Sequence, residues 1–185
     1  MNNNLAINFS NYFSDIKYGT AAYAYTFNNR GNTLHFGLSY IDYGKFPGYD
    51  EQGNPTNDFT GKESAFSIGY SSKINYLPIY VGLNLRLITS SLEQYNSIGI
   101  STDIGVLYIN SEMNLNIAMV IRNFGTQIKA YNDIYESLPF EIDIGVSQLL
   151  ENAPVRWYLT FENVQKWNIA LSNPSRLTTD LDGNI

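Results

Sequence analysis

Glu141 and Asp143 stand two residues apart. On an extended chain that spacing turns both carboxylates to one side. Paired carboxylates can do general acid/base work. Arg122 and Arg156 come from the neighbouring segments, however, and opposite charges on adjacent strands form ladders that hold a sheet together. The structural role is the preferred reading here, and the same holds for Arg86 with Asp103. Ser14-Asp15-Ile16-Lys17 fits the S-x-x-K pattern of a nucleophilic serine with its lysine. That chemistry needs the serine at a buried helix start and the lysine one turn on. Here the motif falls in a link between strands, with no Ser-Asp-Asn or Lys-Thr-Gly element to accompany it.

Asp180-Leu181-Asp182-Gly183-Asn184 has the look of part of a calcium loop. It lacks the terminal bidentate Glu and the flanking helices, so it reads as an Asp-Gly turn. The acidic run Tyr49-Asp50-Glu51-Gln52-Gly53-Asn54 could touch cations or partners and reads as a solvated loop. His35 is the only histidine and Cys is absent, which leaves no His-based metal cluster and no thiolate dyad. His35 reads as a polar residue on an inner face. No catalytic, cofactor-binding or metal-binding residue is assigned, no cofactor is expected, and the chain is not expected to be an enzyme.

The elements that carry these residues follow a period of two. From Asn4 to Phe161 the chain divides into about nine segments of roughly 9–14 residues in which bulky apolar residues alternate with small or polar ones. Leu34, Phe36, Leu38 and Tyr40 face away from Thr33, His35, Gly37 and Ser39. Phe66, Ile68 and Tyr70 alternate with Ala65, Ser67, Gly69 and Ser71; Leu83, Leu85 and Leu87 alternate with Gly82, Asn84 and Arg86. Ile98 to Tyr108, Leu115 to Ile121, Phe140 to Val146 and Val155 to Phe161 repeat the pattern, as does Ala21 to Phe27. Leu5, Ile7 and Phe9 form a shorter first segment. The apolar faces hold no charge. Mid-strand charges such as Glu63, Arg86, Asp103, Arg122 and Asp143 fall on the other face, and Lys17, Lys45, Lys62, Lys73, Lys129 and Lys166 fall in links or at strand ends.

This pattern predicts an all-β fold, an antiparallel transmembrane β-barrel of the outer-membrane type. A spanning strand needs roughly 9–11 residues, whereas soluble strands cluster near 5–6. A soluble β-sandwich also alternates, but its water face is commonly rich in Lys and Glu rather than Gly, Ser, Asn, Ala and Thr. Links alternate in length: Asn28 to Asn32 is a tight turn, Lys45 to Gly61 is long, Lys73 to Tyr76 is short, and Ser90 to Asn96 is intermediate. Asn110 to Asn114 is short, Gly125 to Ser137 long, and Leu150 to Ala153 short. Outer-membrane barrels sort their connections in this way. Tyr, Phe and Trp near strand ends fit interfacial girdles.

Lys and Arg total 11 against 17 Asp and Glu, a net charge of −6, which argues against nucleic acid as a partner. No apolar run reaches the ~20 residues of a membrane helix. The odd strand number, the absence of a signal peptide after Met1 and the polar tail to Ile185 lead to the expectation of an incomplete barrel, one partial-barrel domain over residues 1–185.

Several longer runs carry a resemblance. They are Leu38 to Gly44, Gly61 to Tyr70, Leu92-Glu93-Gln94-Tyr95-Asn96-Ser97, Val120 to Gln127, and Leu159 to Asn168. The most distinctive is Phe161-Glu162-Asn163-Val164-Gln165-Lys166-Trp167-Asn168. Across nearly its whole length the chain resembles the PorV/PorQ family of Bacteroidota outer-membrane proteins. The resemblance implies a fatty-acid-transporter-like barrel in the bacterial outer membrane. It also implies an accessory subunit of the type IX protein secretion system, with membrane lipid, the secretion translocon and signal-bearing cargo as partners. No catalytic residues come with it. The alternative is an outer-membrane transporter for a hydrophobic small molecule, which would need a greasy lumen; the inner face here is polar and small.

Overall fold

A computed structural model describes residues 3–13, 15–27, 31–132 and 135–166. The described residues contain nine strands and no helix. They are β1 (Asn3–Asn11), β2 (Lys17–Phe27), β3 (Asn32–Phe46), β4 (Phe59–Lys73), β5 (Ile79–Leu92), β6 (Tyr95–Asn110), β7 (Leu115–Lys129), β8 (Glu141–Leu149) and β9 (Arg156–Phe161). All lie in one sheet in chain order, and every neighbouring pair is antiparallel. Among the described residues β1 pairs only with β2 and β9 only with β8, so the sheet is open at both edges.

Register keeps the alternation aligned from strand to strand. Leu38 lies opposite Phe66, Phe66 opposite Leu87, and Leu87 opposite Ile100, one apolar row across four strands. A second row runs His35, Gly69, Asn84 and Asp103. A slip of one residue would exchange the two faces, so the pattern itself fixes the pairing.

Among the described residues nothing covers the apolar side. Phe66 is 54% exposed, Leu85 43% and Ile100 42%, and the only buried hydrophobic residue among those described is Ala130. A sandwich needs a second sheet packed about 10 Å away on that side; the described residues form one sheet. The polar side is closely knit. Arg86 on β5 reaches Asn123 on β7 across the intervening β6, and Ser101 in the middle of β6 is 1% exposed.

Several boundaries differ from the sequence expectation. β5 and β6 continue to Leu92 and from Tyr95, leaving a two-residue turn, Glu93-Gln94, where an intermediate link was expected. Cross-strand pairing holds right up to Leu92 opposite Tyr95, and Glu93 takes a left-handed φ of 54° with its N–H donated to the Thr60 carbonyl at 3.0 Å. Link lengths therefore do not alternate strictly. The two longest connections, residues 47–58 and 130–140, do lie at the same end of the sheet. Lys45 and Gly61 belong to strands, as do Gly125 to Lys129, while Phe140 and Val155 precede theirs. β1 is a full nine residues and β9 only six.

Candidate functional site

The polar side of β5–β9 carries one arrangement twice. In the first copy, Arg86 on β5 donates through Nη2 to Asp103 Oδ2 at 2.6 Å and through Nη1 to Asn123 Oδ1 at 3.1 Å. Asn84 adds a bond to the same Asp103 oxygen at 3.0 Å. Asp103 Oδ1 accepts the backbone N–H of Asn123 at 3.0 Å. In the second copy, Arg122 Nε lies 3.5 Å from Asp143 Oδ2, and Asp143 Oδ1 accepts the backbone N–H of Asn163 at 3.2 Å. Both asparagines have a left-handed φ of 54°, and each follows its aspartate by 20 residues.

Backbone geometry explains the repeat. The β6–β7 register shifts between Thr102 and Ile104, which leaves an extra residue on β7 at the Asn123 step. A bulge strands a backbone N–H, and an unpaired N–H on a half-buried wall is costly. The aspartate accepts it, and the arginine from the preceding strand compensates the aspartate. Asn suits the site because its short amide tolerates the left-handed region better than other non-glycine residues. Beyond the bulge, Gly125 sits opposite Ser101 at a close approach: a Cβ there would lie 2.6 Å from Ser101 Cα and against the Ile100 carbonyl.

The expected charge ladders are thus present as Arg86–Asp103 and Arg122–Asp143. Arg156 does not join them; it reaches Ser147 Oγ at 3.4 Å, toward the short-turn end. Glu141 and Asp143 do not form a carboxylate pair, since Asp143 is spent on the Asn163 amide and Arg122. His35 lies across Gly69, where a Cβ would come within 2.6 Å of its Cε1. It borders a hollow of about 210 Å³ shared with Thr33, Asn84 and Asp103. Among the described residues no group of acidic or histidine side chains could hold a metal ion. Ser14 and the Asp180-to-Asn184 run lie outside the described residues.

The long-loop end has its own order. Residues 47–58 form a small hairpin closed by a Tyr49–Pro55 bridge. Asp50 caps its turn, accepting Asn54 N–H at 2.7 Å, Asn54 Nδ2 at 2.9 Å and Gln52 N–H at 3.0 Å. The side-chain bond from Asn54, helped by these amides, holds the Asp50 carboxyl below the usual carboxylate range. The Asp50 run, read from the sequence as a solvated loop, is exposed and forms an ordered turn. The described residues of the 130–140 connection are instead tied to the sheet: Glu136 donates its N–H to Gln127 at 2.7 Å, Asn123 bonds the Pro139 carbonyl at 3.0 Å, and Tyr131 reaches Ser90.

Sequence reasoning passed over Asn123, Asn163 and Asn84. The signal was there in Arg122-Asn123 and Glu162-Asn163, each an Asn that directly follows a charged residue. No protein-family model matches the chain, and no curated protein matches it.

Proposed function

We propose that this chain forms part of the wall of an outer-membrane β-barrel and serves as a non-enzymatic accessory subunit of type IX protein secretion. One observation carries the barrel reading: among the described residues nothing covers the apolar side of the sheet, while the polar side is knitted by hydrogen bonds and ion pairs. In water such a face would demand a cover; against acyl chains it needs none. The secretion reading rests on the runs that resemble the PorV/PorQ family, chiefly Phe161 to Asn168 and Leu92 to Ser97.

The mechanism is presentation. A stiff wall holds the 47–58 hairpin out from its rim, where its closed turn offers a preformed surface to cargo or translocon. Loops on a rigid scaffold are the usual place for such contacts. Glu136 and Pro139, in the connection between β7 and β8, are tied to the wall and act as a brace instead. In the full-length protein, exchanging residues 47–58 for a short turn is expected to impair secretion while heat-dependent gel mobility stays unchanged. Normal secretion by that variant would sink the presentation mechanism.

A further inference from the structure

We propose that the outward side of the sheet, at its long-loop end, binds the phosphate of an anionic lipid headgroup through Lys17, Lys45 and Lys62. The proposal rests on the reading of the apolar side as lipid-facing.

Register puts these residues together. Lys17 pairs with Asp42 and Asp42 with Lys62, a row across β2, β3 and β4. Asp42 lies four residues beyond Leu38, and Lys62 four before Phe66, so both share the apolar side. The β3 bulge between Asp42 and Lys45 brings Lys45 opposite Thr60, two residues from Lys62 on the same side. With Asp15 and Gly44 these residues enclose a hollow of about 330 Å³.

The charge of the hollow is positive, with three lysines against Asp15 and Asp42. Asp42 is largely spent: its Oδ1 accepts the Gly44 N–H at 3.0 Å, and its Oδ2 accepts the Tyr40 hydroxyl at 3.3 Å and lies 3.8 Å from Lys62 Nζ. Among the described residues no carboxylate lies within ion-pair distance of Lys17 or Lys45. Lysine is also sorted by end. Lys17, Lys45, Lys62, Lys129 and Lys166 sit at the long-loop end and Lys73 alone at the other.

A lysine at the rim of a lipid face can lay its stem along apolar surface and hold its ammonium at headgroup depth. Three such ammonium groups around one hollow suit an anion with several equivalent oxygens. A lipid is favoured over a free ion because the lysines share the side of the sheet that carries Leu38 and Phe66, with only the Tyr40–Ser64 row between, and acyl chains on that side would seat the headgroup.

The test uses the full-length protein in non-ionic detergent, with bisphosphorylated lipid A as the probe. Its dephosphorylated form and inorganic phosphate serve as the other arms. Lys17→Gln, Lys45→Gln and Lys62→Gln together are expected to weaken lipid A binding by about tenfold or more. Lys73→Gln is expected to leave it unchanged, as is millimolar inorganic phosphate. Equal binding by the triple variant, or by the dephosphorylated probe, overturns the proposal; displacement by inorganic phosphate reassigns the site to a free ion and overturns it too. If the triple variant loses its heat-dependent mobility shift, Lys45→Gln alone is read instead. Absence of that shift in the unsubstituted protein strikes at the barrel itself, a different failure.

Discussion

Gly125 and Gly145 separate what a glycine does for this wall. A Cβ on Gly125 meets the backbone of Ile100 and Ser101, which cannot swing aside, whereas a Cβ on Gly145 meets nothing within 4 Å. Gly125→Ala should therefore cost ~1–3 kcal/mol, and Gly145→Ala should be near neutral, measured by the temperature at which the heat-dependent mobility shift occurs. Equal effects would refute the close approach. Asp103 is a second pressure point, since it serves Arg86, Asn84 and the Asn123 amide at once. Asp103→Ala leaves all three donors short of an acceptor and should lose ~1–3 kcal/mol, tempered because Arg86 keeps some access to water. In a double-mutant cycle, Arg86→Ala should then add little to Asp103→Ala, because the pair acts as one unit.

At the level of elements, turn chemistry decides how hairpins close. Glu93 holds a left-handed φ in a two-residue turn. A β-branched residue is a poor fit to that region, so Glu93→Val should lose about 1–2 kcal/mol while Glu93→Gly is tolerated, read by the same unfolding assay. The 47–58 hairpin carries a pH dependence. Its capping carboxylate, Asp50, titrates below its ordinary range because Asn54 and the turn amides favour the charged form. The turn is therefore most stable above the ordinary carboxylate range and loosens as pH falls through the lowered value. Amide exchange at Asn54 should accelerate on acidification once the intrinsic pH dependence of exchange is removed; Asp50→Asn should abolish the excess.

For the molecule as a whole, the proposed barrel wall requires the two sides of one sheet to meet two solvents. The chain contains no cysteine, so single-cysteine variants report their surroundings without background. In membranes, Phe66→Cys on the apolar side should resist a water-soluble maleimide and take a lipid-confined one, while Ser67→Cys on the polar side should do the reverse. Equal labelling of both by the aqueous reagent would place the apolar side in water and return the sheet to a soluble setting. Sidedness of this kind also makes the sheet hard to misregister, because a one-residue slip would put Arg86 and Asp103 on the apolar side.

The sequence by itself determined the strands and their two faces. Side chains alternate on any extended chain, so Leu34 to Tyr40 and Leu83 to Leu87 declare their apolar side without reference to a partner. The ladders Arg86–Asp103 and Arg122–Asp143 were likewise legible, since charges confined to one face of adjacent strands have few other places to go. What the tertiary structure decided depends on register. Only the shift at Thr102 and Ile104 shows why Asn123 stands where it does, and only the β8–β9 register, with Arg156 opposite Leu149, shows why Arg156 stays out of the network. Only the pairing of β2, β3 and β4 gathers Lys17, Asp42 and Lys62 into one row. Local patterning reports which way a side chain faces; which residues become neighbours is fixed by hydrogen bonding between strands distant in sequence, and a single bulge resets it.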